Sequence, residues 1–176
     1  HMKNVLTLTL AATLMATLTG CSSSQTAASS TVEETKTYKV AVVKQLDHAS
    51  LDEIAKAICD EFDAISEKEG VKIEYGDVYS GQNDQTVLQQ IGSQVTSEGV
   101  DAIVPIATLA AQTMTVASDG SVPVVFAAIS DPETADLTGL DNVTGTSDAL
   151  NTKQILDMMK AQNPDIKKVG LLYSKS

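Results

Sequence analysis

From Tyr38 onward, short apolar runs alternate with stretches whose apolar residues recur at helical spacing, and this alternation constrains the fold more than any other feature of the chain. "YKVAVV" (38–43), "VKIEYGDVYS" (71–80), "DAIVPIA" (101–107), "PVVFAAI" (123–129) and "NVTGTSD" (142–148) read as strands. Between the first two, Leu51, Ile54, Ala55, Ile58, Cys59, Phe62 and Ile65 share one helical face. Ser50 and Glu53 have capping-box spacing before them, and Gly70 supplies the stop. Asn83 or Asp84 is placed to cap a second helix with Val87, Leu88, Ile91 and Val95 inward, closed by Gly99, and Thr108 to cap a third that runs to about Ser118. Pro105 marks either the end or a distorted centre of its strand. A last helix is expected over Thr152–Gln162, with Asn151 and Gln154 at capping spacing and Pro164 after it, followed by a strand in "KKVGLLYS" (167–174).

Strands that alternate with helices imply right-handed crossovers, hence an α/β, Rossmann-like parallel sheet with helices on both faces. Ligands of such open sheets sit outside the carboxyl ends of the strands. The loops after Val43, Tyr79, Ala107 and Ile129 therefore share one rim, and Asp131 lies on it.

The region before Tyr38 is of another kind. His1 reads as the remnant of an expression tag. Met2 and Lys3 precede an apolar run from Val5 to Leu18 that is too short to span a bilayer and fits a secretory signal over residues 1–20. Leu18-Thr19-Gly20-Cys21 resembles the end of a bacterial lipoprotein signal, which implies that Cys21 carries the lipid and becomes the new amino terminus. The Ser/Thr/Ala-rich residues 22–37 are too poor in apolar surface to fold and read as a flexible tether. Cys59 is the only other cysteine, which excludes a disulfide framework, and its helical setting makes it a small hydrophobe.

The formal net charge is −11, all the basic side chains apart from histidine are lysines, and the chain has no arginine. So acidic a chain repels phosphate backbones, which argues against nucleic acid as a partner. Without arginine no guanidinium fork is available for a carboxylate, and backbone amides and hydroxyls must hold any such group. The amides of Leu109, Ala110 and Ala111 at the start of the third helix, with the Thr108 hydroxyl, suit an anion, and Asp131 is a complementary acceptor for an ammonium. Thr108 is equally readable as a plain helix cap, and Asp131 before Pro132 as a plain turn starter. His48 on a surface loop is either solvated or a ligand contact, and Tyr79 either packs or stacks on a ligand ring.

Signals of catalysis are thin. No dinucleotide-binding glycine turn follows the first strand, and no phosphate loop, nucleophile elbow or metal-spaced Cys/His set occurs. Asp131, Glu133 and Asp136 lack the spacing of a calcium loop. No cofactor is expected.

"HASLDEIAKA", "GQNDQTVLQQIGSQ", "VDAIVPIATLAAQTM", "VPVVFAAISDP", "NVTGTSD" and "QILDMMKAQNPDIKKVGLLY" together resemble the substrate-binding lipoproteins of ABC importers with the type I periplasmic-binding fold, in the group associated with tryptophan and tyrosine uptake. The resemblance implies two α/β lobes that close on a small amino acid, delivery to a permease and ATPase, an extracytoplasmic position anchored by lipid on Cys21, and no catalysis. It assigns the carboxylate to Thr108 and the following amides of Leu109 and Ala110, the ammonium to Asp131, and the side-chain pocket to the loops carrying Gln45, His48, Ser80 and Gln82, with Ala107 and Ala128 beside them. Leu109 stands where relatives commonly have proline and keeps its N–H. Relatives continue beyond "VGLLY", so residues 38–148 are expected to be the first lobe and 149–176 the start of a second that is truncated. Half a cleft leaves a ligand wet, so weak binding is expected of this chain alone. Two other classes compete: a surface adhesin with incidental ligand binding, and a small enzyme on a Rossmann-like sheet.

Overall fold

The computed structural model describes residues 34–172. The expected signal over 1–20, Cys21 and the tether as far as residue 33 lie outside the described residues, as do Tyr173 and Ser174 of the last expected strand.

The elements run β1 (Thr37–Lys44), α1 (Ala49–Glu69), β2 (Lys72–Glu74), β3 (Tyr79–Ser80), α2 (Gln85–Ser97), β4 (Ala102–Ile106), α3 (Thr108–Ser118), β5 (Val124–Ile129), β6 (Val143–Ser147) and α4 (Thr152–Gln162). All strand pairs are parallel, in the order β2-β1-β4-β5-β6, with β3 also paired to β1. Strand β1 is an interior strand, and its residues 41–43 are buried on both faces, which is why it reads as an unbroken apolar run. Ala41 and Val43 point into a cluster with Leu88, Ile91 and Val95 of α2 and Ala110 and Met114 of α3. Val42 points the other way, to Ala55 of α1, Val104 and Ile106. Burying one such side chain contributes about 1.5–3 kcal/mol, so these two layers carry much of the fold. Cys59 sits half-buried at the edge of the second layer, and burial pushes its thiol up, as befits a packing residue.

Four expectations need correction, and the choice left open at Pro105 is decided. The Ser50 capping box does not form: α1 starts at Ala49, and His48, extended at φ −155°, caps it by accepting the Ser50 N–H on Nδ1 at 3.2 Å. His48→Ala is expected to lower stability by about 1 kcal/mol, read as a fall in thermal midpoint, and His48→Asn to restore most of it. The strand expected over 71–80 is two segments, β2 and β3, because the chain breaks at Gly76 with φ +57°. Thr108 does not cap α3. It is the first helical residue, and the cap position falls to Ala107, whose side chain has nothing to accept with. Pro105 does not end β4 but lies within it, opposite Val43. Ile103 and Ala107 donate to Pro123 and Ala127 on the β5 side, so Pro105 between them faces β5 with no N–H to give. Finally, none of the described residues 163–172 forms a strand, and Leu171 and Leu172 are exposed. Helix α4 keeps its expected bounds and its Asn151 cap to the Gln154 N–H at 3.0 Å, but buries none of its residues.

Candidate functional site at the carboxyl rim of the sheet

Strand order places the topological switch between β1 and β4, since the chain leaves β1 for β2 and β3 on one side and returns to β4, β5 and β6 on the other. The loops at this point diverge and leave a crevice at the carboxyl ends. Ala107 follows β4, and its N–H donates to Ala127 of β5 at 3.0 Å. Thr108 therefore begins α3 on one strand end while Asp131 follows the next strand in the sheet, where neighbouring strands lie about 4.8 Å apart.

Backbone conformation marks the same rim. Gln82 (φ 53°), Asn83 (φ 55°), Ala107 (φ 78°) and Ala128 (φ 58°) are non-glycine residues in the left-handed half of backbone space, all at or beside the strand ends. Each such residue costs on the order of 1 kcal/mol or more, and the cost persists only where surrounding contacts over-determine it. Ala128 falls at the register irregularity between Phe126 and Ile129, which turns the end of β5.

The expected site residues divide into two groups. Gln45, Ser80, Gln82, Ala107, Thr108, Leu109 and Ala110 converge on the switch. Gln45 Oε1 accepts the Leu109 N–H at 2.9 Å and Gln45 Nε2 donates to Asn83 Oδ1 at 2.8 Å. Ser80 Oγ accepts the Gln82 N–H at 3.4 Å. The amides expected to meet an anion are therefore mostly taken, a correction to the sequence reading: Leu109 is spent on Gln45, Ala111 on the Ala107 carbonyl at 3.0 Å, and Ala110 is fully buried in the core. The second group, Ala128 and Asp131, belongs to β5 and the loop after it. His48 stands apart through its capping bond, with its ring exposed. Tyr79 packs against the α2 layer rather than standing free.

Asp131 starts a turn. Its Oδ1 accepts the Thr134 N–H at 3.0 Å and its Oδ2 the Thr134 hydroxyl at 2.7 Å, and these bonds hold its carboxyl below the usual range, with a further contribution from the Glu133 amide. The group is exposed and ionised at neutral pH, and a carboxylate oxygen with one hydrogen bond still has a lone pair for another donor. It borders an open hollow of about 600 Å³ lined by Ser130, Glu133, Thr138, Ser147 and Leu150. Across this hollow the Ser130 hydroxyl donates to Asp148 Oδ1 at 3.0 Å, tying the ends of β5 and β6 together. A groove of similar volume between α2 and α3, lined by Gln89, Ser93, Gln112 and Val116, contains no charged group.

Charges at the end of β1 are already paired. Lys44, largely covered, bridges Asp47 at 2.8 Å and also Asp52. Asp47 raises the ammonium first and Asp52 next, while Lys44 and then the Ser80 hydroxyl hold Asp47 low. Sequence reasoning missed this ion cluster and the bond between Asn83 and Gln45. It also missed the two strained alanines. Among the described residues there is no group of His, Cys, Asp and Glu that would hold a metal ion, and no helix is long and apolar enough to cross a membrane.

Residues 39–176 match the family of ABC transporter substrate binding proteins. A tyrosine-binding protein of Clostridioides difficile is 31% identical over 184 residues, covering 99% of this chain and 53% of its own. Among solved structures, an ABC domain in complex with L-Trp from Streptococcus pneumonia is similar at 34% identity and a TM-score of 0.63, over 75% of this chain and 45% of its own. A conserved domain protein from Vibrio cholerae is similar at 32% identity and 0.64, over 74% and 45%. A ligand-free, open substrate binding protein with adhesive properties from Clostridium difficile is similar at 29% identity and 0.58, over 73% and 44%. The chain thus spans about half the length of each of these relatives.

Proposed function

The chain belongs to the family of ABC transporter substrate binding proteins, and from that premise we propose that it forms one wall of a cleft that captures a small aromatic amino acid, tyrosine or tryptophan, outside the cytoplasm. The captured ligand passes to an ABC permease and ATPase. Lipid on Cys21 holds the protein at the membrane, and the chain binds without catalysis or cofactor.

What carries this reading is the placement of a helix start whose own cap residue has no acceptor and an ionised aspartate on neighbouring strand ends. The ligand carboxylate takes the Thr108 hydroxyl and amide at the start of α3, whose first turn carries about half a positive charge. The ammonium takes Asp131. The tyrosine and L-Trp named with two relatives support an aromatic amino acid as the ligand.

One wall alone leaves half of the ligand in water, and burial is most of what a small ligand gains on binding. L-tyrosine titrated into this chain, followed by amide shifts, is therefore expected to bind at least about 100-fold more weakly than to the full-length tyrosine-binding relative, equivalent to ~2.7 kcal/mol. Equal affinity would refute the one-wall reading. A second reading, a surface adhesin, is favoured by the adhesive relative. Cell attachment that survives Asp131→Ala would support it.

A further inference from the structure

Helix α3 begins without a cap of its own, since Ala107 has no acceptor on its side chain. The first amides of any helix lack intrahelical partners, and an empty cap costs about 1 kcal/mol. Here the Leu109 N–H is closed by a residue 64 positions earlier, Gln45, at 2.9 Å. The backbone of Gln45 is fixed as well: its N–H donates to the Ile106 carbonyl at 3.1 Å, and its carbonyl accepts the Asn83 N–H at 2.8 Å. Its side-chain amide completes the set by donating to Asn83 Oδ1. One residue thus joins the ends of β1 and β4, the loop after β3 and the first turn of α3. The loop it grips contains Gln82 and Asn83, both at positive φ.

We propose that Gln45 is a positioning residue: a remote cap that closes one amide of α3 with a neutral oxygen and locks the loop after β3 to that helix. Among the described residues the Thr108 amide has no protein acceptor and its residue is exposed at the helix start, whereas Ala110 is fully buried in the core. Neutrality matters because the positive end of the helix then stays available to a ligand's carboxylate. A glutamate at this position would still accept from Leu109, but it would lose the donor to Asn83 and place a fixed negative charge beside the ligand's own. The consequence for ligand choice rests on the amino-acid reading of the rim, whereas the capping role does not.

The test compares the chain with its Gln45→Glu and Gln45→Leu variants by amide hydrogen exchange and by shift titrations with L-tyrosine and with tyramine, which lacks the carboxylate. Exchange at Leu109 and Asn83 is expected to rise at least about tenfold in Gln45→Leu, while Ile103 in the core stays as slow as before. Gln45→Glu is expected to keep Leu109 protected and to shift the preference from tyrosine towards tyramine by at least about tenfold. Unchanged exchange at Leu109 in Gln45→Leu, or an unchanged tyrosine-to-tyramine ratio in Gln45→Glu, would overturn the proposal. If Gln45→Leu does not fold, protection of Leu109 in the chain itself and in Gln45→Glu decides the capping role, and fast exchange there overturns it. If neither compound moves a rim amide in the unaltered chain, the amino-acid reading fails, and exchange still judges the cap.

Discussion

Gly81→Ala is expected to lower stability by about 2–3 kcal/mol and to disorder the rim, although the substitution adds a single methyl group. Gly81 is buried at the turn out of β3, and its N–H donates to the Lys44 carbonyl at 2.9 Å. A Cβ there would lie 2.5 Å from Leu88 Cγ and 2.9 Å from the Gln45 carbonyl oxygen. Leu88 is fully buried in the layer under β1 and has no room to retreat. The other neighbour is backbone, and it is the carbonyl that accepts the Asn83 N–H. Relief must therefore come from moving the loop, which breaks the tie between β1 and β3. For a chain of this size the loss corresponds to a fall in thermal midpoint of roughly 5–12 °C. Faster amide exchange at Asn83 should accompany it. A midpoint within a degree of the parent would mean that the turn is looser than its contacts indicate.

How much of this was legible in the sequence follows from which interactions are local. Helices α1, α2 and α4 were legible because their apolar faces, the αL glycine at residue 70 and the Asp84 and Asn151 caps lie within a few residues of what they specify. The central strands were legible because burial on both faces leaves an apolar run. What was hidden depends on distant partners. The cap of α3 comes from Gln45, which no window around Thr108 contains. Ala107 and Ala128 at positive φ left no trace, because alanine is not the residue that such a conformation favours and only neighbouring strands hold it there. His48 displaced the Ser50 box because a histidine nitrogen can accept an amide as a serine oxygen does, which the usual ranking of caps does not anticipate. The strand expected over 167–174 was read from apolar pattern alone, and a strand needs a neighbour that none of the described residues supplies. Asp131 divides differently: its turn was legible from Asp-Pro and is present, while its ligand role depends on a lone pair that the turn leaves unused.

That division makes Asp131→Asn the most informative substitution at the rim. Asparagine keeps an oxygen for the Thr134 N–H, so the turn should survive, and circular dichroism and the amide spectrum outside residues 130–135 should be unchanged. What disappears is the charge. A hydrogen bond to a charged partner contributes about 1.5–3 kcal/mol against about 1 for a neutral one, so the ammonium of L-tyrosine should be held roughly 2- to 30-fold more weakly. The pH dependence has a definite sign. Hydrogen bonds from Thr134 and Glu133 depress the Asp131 carboxyl in the folded chain, so its contribution to stability is present above the unfolded value and is lost as pH falls through the folded one. Binding should follow the same carboxylate, holding from neutral pH downward and failing in the acid range where Asp131 takes up its proton. In Asp131→Asn that acid limb should vanish from the binding profile. Tyrosine shifts of equal size and equal pH dependence in both proteins would place the ammonium elsewhere, Glu133 being the other carboxylate that lines the same hollow.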